Sequence, residues 1–163
     1  GNIQASEGVD CIFITTETDG SREEMVWKNV KVCNNGKILE SKGVTHTNVT
    51  TQVDGSKVEM VWENVNLYNE GGIQASEGVT VTFITDHADG GKRTTNWENV
   101  KVDNGGKVLV SEGVTLTFIE TQADGSEKKL IWEDVNVDNN GKVLKTEELN
   151  YTEIITQKDG SVI

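Results

Sequence analysis

Proline is absent from the 163 residues, only two cysteines and two histidines are present, and 34% of the residues are hydrophobic. Each shortage excludes something. Without proline, every residue after the first keeps a backbone donor, which suits a continuous hydrogen-bonded sheet, because proline deletes a ladder bond. No run of 18 apolar residues and no signal-like start occur, so neither membrane insertion nor a targeting address is expected of this stretch. Cys11 and Cys33 form no C-x-x-C pattern, which removes the usual metal or redox reading. His46 and His87 stand at unrelated positions, where other parts of the chain carry Cys, Val or Leu in one case and Glu or Gln in the other. Catalysis wants a singular cluster of groups with divergent environments, so no catalytic residue is assigned and no enzyme is expected. Basic residues are also scarce: 15 Lys and Arg face 27 Asp and Glu, a net charge of −12. That balance argues against nucleic acid or an anionic membrane as partner, and serves solubility instead.

What is present is a repeat. Trp27, Trp62, Trp97 and Trp132 are 35 residues apart, and so are the pairs Asp19-Gly20, Asp54-Gly55, Asp89-Gly90, Asp124-Gly125 and Asp159-Gly160. The units are 1–35, 36–70, 71–105, 106–140 and a partial 141–163, forming one repeat domain with no insertion or deletion. Such an array distributes a thin core, because each unit packs only on its neighbours.

The unit reads as all-β. In the fourth copy Val108, Val110, Val114, Leu116 and Phe118 alternate with Leu109, Ser111, Thr115 and Thr117, the period of a strand with unequal faces. In the first copy Ile3, Ala5, Val9, Cys11 and Phe13 hold the same parity. A glycine at one fixed place, Gly8 and its equivalents, marks a bulge or a bend. Asp-Gly then predicts a type I′ hairpin turn, and Asn35-Gly36, Asn104-Gly105 and Asn140-Gly141 supply a second turn. Hairpin register about Asp19-Gly20 puts Cys11 opposite residues 28 to 30 and away from Cys33, so both thiols are expected free. Thr, Val and Ile crowd the segments where helical repeats need Ala and Leu. The expected architecture is antiparallel hairpins in an open elongated array, because five first segments accompany only four Trp segments. A closed barrel or propeller is the alternative, and a parallel β-helix the third.

Two kinds of binding position stand out. The four Trp residues could form a row of ring faces for sugars, or pack over neighbouring units, a role that Met25, Met60 and Leu130 two residues away favour. Asn29, Asn64, Asn99 and Asp134, two positions after each Trp, could bond a ligand hydroxyl or the local backbone. The Asp-Gly turns lack both the EF-hand run D-x-[DN]-x-[DN]-G and the G-G-x-G-x-D nonapeptide of calcium-binding β-rolls, so no metal and no cofactor is assigned. Asn48-Val49-Thr50 and Asn150-Tyr151-Thr152 match the N-glycosylation acceptor. The expectation is a non-catalytic structural or adhesive β-repeat, secreted or on the cell surface, that self-assembles head to tail through its terminal strands. The alternative is a multivalent carbohydrate-binding, lectin-like module with glycans as partners.

Overall fold

A computed structural model of the chain describes residues 5–144 and 151–163. Its strands are β1 (Ser6–Thr16), β2 (Arg22–Val32), β3 (Ile38–Leu39), β4 (Ser41–Thr51), β5 (Lys57–Leu67), β6 (Ile73–Gln74), β7 (Ser76–Asp86), β8 (Lys92–Val102), β9 (Ser111–Thr121), β10 (Glu127–Val137) and β11 (Tyr151–Thr156). They form one antiparallel sheet in the order β1-β2-β4-β5-β7-β8-β9-β10-β11, with β3 paired to β2 and β6 to β5. The path starts at β1 and ends at β11, which do not pair with each other, so the sheet is open and neither a barrel nor a propeller. Strand boundaries repeat at the sequence period: β4, β7 and β9 begin at 41, 76 and 111.

Each hairpin is bent by two bulges of opposite sense. In β4 and β5, His46 faces Trp62, Val44 faces Val65 and Ser41 faces Leu67, so β5 carries one extra residue and then β4 does. The extra residues are Asn64 and Gly43, both left-handed, with φ 63° and 62°. Gly8 with Asn29, Gly78 with Asn99, and Gly113 with Asp134 repeat the device. Glycine adopts this backbone freely, and Asn or Asp tolerate it better than other residues. Compensating bulges restore the register while adding twist and a bend. The ligand-or-backbone alternative at Asn29, Asn64, Asn99 and Asp134 therefore has a definite backbone component.

The bend gathers the core. Val30, Val65, Val100 and Val135 just past the bulge, and Val32, Leu67, Val102 and Val137 two residues on, are buried. Val44, Val79 and Val114 on the facing strands join them in one cluster. The alternation expected for the fourth copy fails here: Ser111 is 2% exposed and Val110 is 52% exposed. The Ser111 hydroxyl takes the Lys101 N–H at 2.9 Å and donates to the Leu109 carbonyl at 2.8 Å, replacing ladder bonds lost at the break. Ser41 and Ser76 do the same. Ile3 lies outside the described residues.

The turns are also not type I′. Positive φ occurs at Gly20, Gly55, Gly90, Gly125 and Gly160 but at none of the preceding aspartates. Gly20 N–H bonds the Glu17 carbonyl and Glu17 N–H the Ser21 carbonyl, the pattern of a type I turn followed by a left-handed glycine. The loop is longer than a two-residue turn, which moves the register, so Cys11 faces Trp27 instead of residues 28 to 30. Asp19 accepts the Ser21 hydroxyl and N–H at 2.7 and 2.8 Å, and those bonds hold its carboxyl below the ordinary carboxylate range.

The bulge assignment makes a prediction at Asn64. Asn64→Gly should leave stability within about 0.5 kcal/mol, whereas Asn64→Val should lose about 1–2 kcal/mol, since a β-branched residue resists positive φ. Chemical denaturation of both variants checks this, and equal losses would contradict a backbone role.

Candidate functional site

The cross-strand register brings all four Trp residues into one line. Cys11, Trp27, His46, Trp62, Val81, Trp97, Leu116, Trp132 and Tyr151 are successive partners across the nine long strands. Every second member is a Trp, so the indoles lie on one face, each between two residues of another type. Directly opposed side chains sit about 4.5–5.5 Å apart at Cβ, close enough to pack as a ladder.

Three of the four indoles, those of Trp27, Trp62 and Trp97, are covered by a turn from farther along the chain. Trp27 Nε1 donates to the Gly71 carbonyl at 3.0 Å, Trp62 to Gly106 at 2.8 Å and Trp97 to Gly141 at 2.7 Å, always 44 residues ahead. Trp62 is 8% exposed, while Trp27, Trp97 and Trp132 are half-buried. Among the described residues no such acceptor meets Trp132, whose indole lies beside Tyr151, with ring centroids 6.1 Å apart. These turns, and the equivalent first one at residues 33–36, are tied to the strand before them. Asn34, Asn69, Asn104 and Asn139 each accept a backbone N–H from the residue 29 positions earlier, at 2.7, 2.8, 2.8 and 3.0 Å.

His46 is the one imidazole in the ladder. It is 7% exposed and stacks between Trp27 and Trp62, with centroids 5.0 and 5.4 Å apart. Burial holds its imidazole below the ordinary range, opposed by a bond between Nδ1 and the Val26 carbonyl. His87 is exposed at a turn and belongs to no such arrangement.

The residues considered for binding are thus brought together in part. The Trp positions form one line, with three of the four N–H groups committed to backbone carbonyls. Asn29, Asn64, Asn99 and Asp134 are exposed at the bulges. There Asn64 and Asn99 donate to the Gly78 and Gly113 carbonyls at 3.2 Å. A groove of about 290 Å³ opens beside Trp97, lined largely by apolar groups including Met60, Val81, Phe83 and Val108. Asn48 sits mid-strand between Met25 and Met60, its buried Oδ1 without a partner, and Asn150 lies outside the described residues. Cys11 and Cys33 are free thiols, Cys33 Sγ lying against Asn35 Oδ1.

The outer strands differ from the interior. On β1, Ile12, Phe13 and Ile14 are 63, 55 and 49% exposed. On β11, Glu153 pairs with Lys128 at 2.7 Å, and the chain's last residues fold back, Ile163 N–H bonding the Ile155 carbonyl.

No protein-family description, curated protein or solved structure matches the chain. Its reading rests on this geometry. Sequence reasoning passed over the clamping asparagines and the serine hydroxyls, although their recurrence at the repeat spacing was a usable signal.

Two measurements test the ladder. Trp97→Ala should cost about 3–5 kcal/mol, and Trp132→Ala, without a carbonyl partner among the described residues, clearly less. Equal losses in denaturant titrations would contradict the covering-turn account. For His46 the folded value is depressed, so its neutral form is the one folding favours. Its stability contribution is whole above the unfolded value of 6.5 and falls as pH drops below it. Thermal unfolding midpoints should therefore decline from about pH 7.5 to about pH 5 more steeply in the parent than in His46→Val, which copies Val81. Parallel profiles would remove His46 as a titrating element.

Proposed function

We propose that the chain is a non-catalytic structural β-repeat, secreted or surface-exposed, that assembles through the outer strands of its sheet. One observation carries the reading: the same ladder and bulge recur from repeat to repeat, and the sheet they build ends at β1 and β11, each paired on one side only among the described residues. A strand with a free side presents a row of N–H and C=O groups that templates another strand unless charge, proline or a bulge blunts it. The repeated Trp positions support a mechanical role, because their rings and N–H groups join one repeat to the turn two repeats ahead. The large negative charge keeps such an array soluble while leaving association to short contacts and to ionic strength.

Sedimentation velocity of the 163-residue chain over about 10 µM to about 1 mM, in the weak-association range, is the direct test. The expected result is a mass rising above the 17.8 kDa of one chain. A single 17.8 kDa species throughout would overturn assembly through the outer strands.

A further inference from the structure

We infer that the association surface is the free side of β1, and that it pairs with the same strand of a second copy about a twofold axis normal to the sheet, centred on Phe13. The inference rests on the outer-strand reading above and adds which strand, which partner and which register.

The direction of the strands comes first. Nine long strands lie on the path and every neighbouring pair is antiparallel, so β1 and β11 run the same way. Joining β11 of one copy to β1 of the next, with the ladder faces continuous, would therefore demand a parallel pair. Rotation about an axis normal to the sheet instead opposes like strands, keeps the faces matched and makes the pair antiparallel, as everywhere else in this protein. Such a contact is isologous and closes at two copies, unlike a head-to-tail contact.

Chemistry then selects β1 over β11. Cys11-Ile12-Phe13-Ile14-Thr15-Thr16 is six residues long, uncharged, free of Gly and Pro, and rich in β-formers, the composition that favours strand pairing between chains. Its three central side chains are each about half exposed or more. β11 carries Glu153 at its middle, which a twofold contact would set near its own copy, and the Thr156 to Val162 bridge occupies one end of its free side.

The register follows from matching the uncharged stretch to itself. Directly opposed residues in an antiparallel pair share a face, so an axis through Phe13 sets Phe13 against its copy, Ile12 against the copy's Ile14, and Cys11 against the copy's Thr15. The Phe13 contact falls on the ladder face and the two Ile12–Ile14 contacts on the other. Asp10 and Glu17 flank the stretch, and each copy carries −12, so repulsion opposes the contact until salt screens it.

The experiment combines mass with register. By sedimentation equilibrium, the parent should approach twice 17.8 kDa, and more readily as salt rises from about 0.01 M to about 1 M, which shortens the screening length from ~30 to ~3 Å. The exposed double substitution Ile12→Lys with Ile14→Lys should weaken association about tenfold or more, with circular dichroism and Trp fluorescence unchanged. In a Cys33→Ser background, Thr15→Cys should give a covalent dimer through Cys11 and the new thiol under mild oxidation. The Cys33→Ser chain alone should not. Association that survives the double lysine substitution but is lost in Ile155→Lys would sink the β1 assignment while sparing outer-strand assembly. A Cys11–Cys11 link in the Cys33→Ser chain would overturn the register, and a monomer under every condition would overturn assembly itself.

Discussion

The bond from an indole N–H to a glycine carbonyl 44 residues ahead is the constraint on which the rest of the fold depends. It spans one whole repeat and nine residues more, so it links a strand to a turn that arrives only after the next hairpin is complete. The acceptor has to be glycine on two grounds. Its φ is +88°, +84° and +72° at Gly71, Gly106 and Gly141, and a Cβ there would lie 2.9, 2.6 and 2.6 Å from the indole nitrogen. One inserted residue would turn the strand over and take the glycine off the ring. This accounts physically for a period of 35 kept without a single insertion.

The energetics follow the same geometry. A hydrogen bond of this kind contributes about 0.5–1.5 kcal/mol net, less than the roughly 3–5 kcal/mol that truncation of a buried Trp costs. The bond mainly places the turn, and the covered ring supplies the burial. Valines past the bulge add a second strip, so the core is a band running from β1 to β10 instead of a central ball. Burial thins at the first unit: Val44, Val79 and Val114 are buried, whereas Val9 is only half-buried. β1, paired on one side only among the described residues, keeps exposed apolar groups at Ile12, Phe13 and Ile14.

Much of this was legible in the sequence, and the failures have physical causes. The period, the all-β class, the hairpins and the open array follow from spacing and alternation, which depend on local chemistry. The shared face of Met60 and Trp62 was also readable, since two residues apart means one side of a strand. Alternation misassigned Val110 and Ser111 because a bulge shifts parity without any change of composition. The turn type was misread because Asp-Gly serves both a two-residue turn and the longer loop found at Asp19-Gly20. The partner of each Trp could not be reached from pattern alone, because the Gly carbonyl lies across two intervening strands. The positive φ of Asn64 was hidden for a related reason: an asparagine two residues past the Trp, within the same strand, fits a bulge and a ligand contact equally well.

Amide and indole hydrogen exchange followed by NMR tests the central claim most directly, because each of the four Trp residues contributes one resolvable indole N–H. The indole protons of Trp27, Trp62 and Trp97 are predicted to exchange slowly, in step with the backbone amides of the buried valines, and that of Trp132 to exchange markedly faster. Four indole protons exchanging at one common, fast rate would contradict the account, for no turn would then be holding the rings.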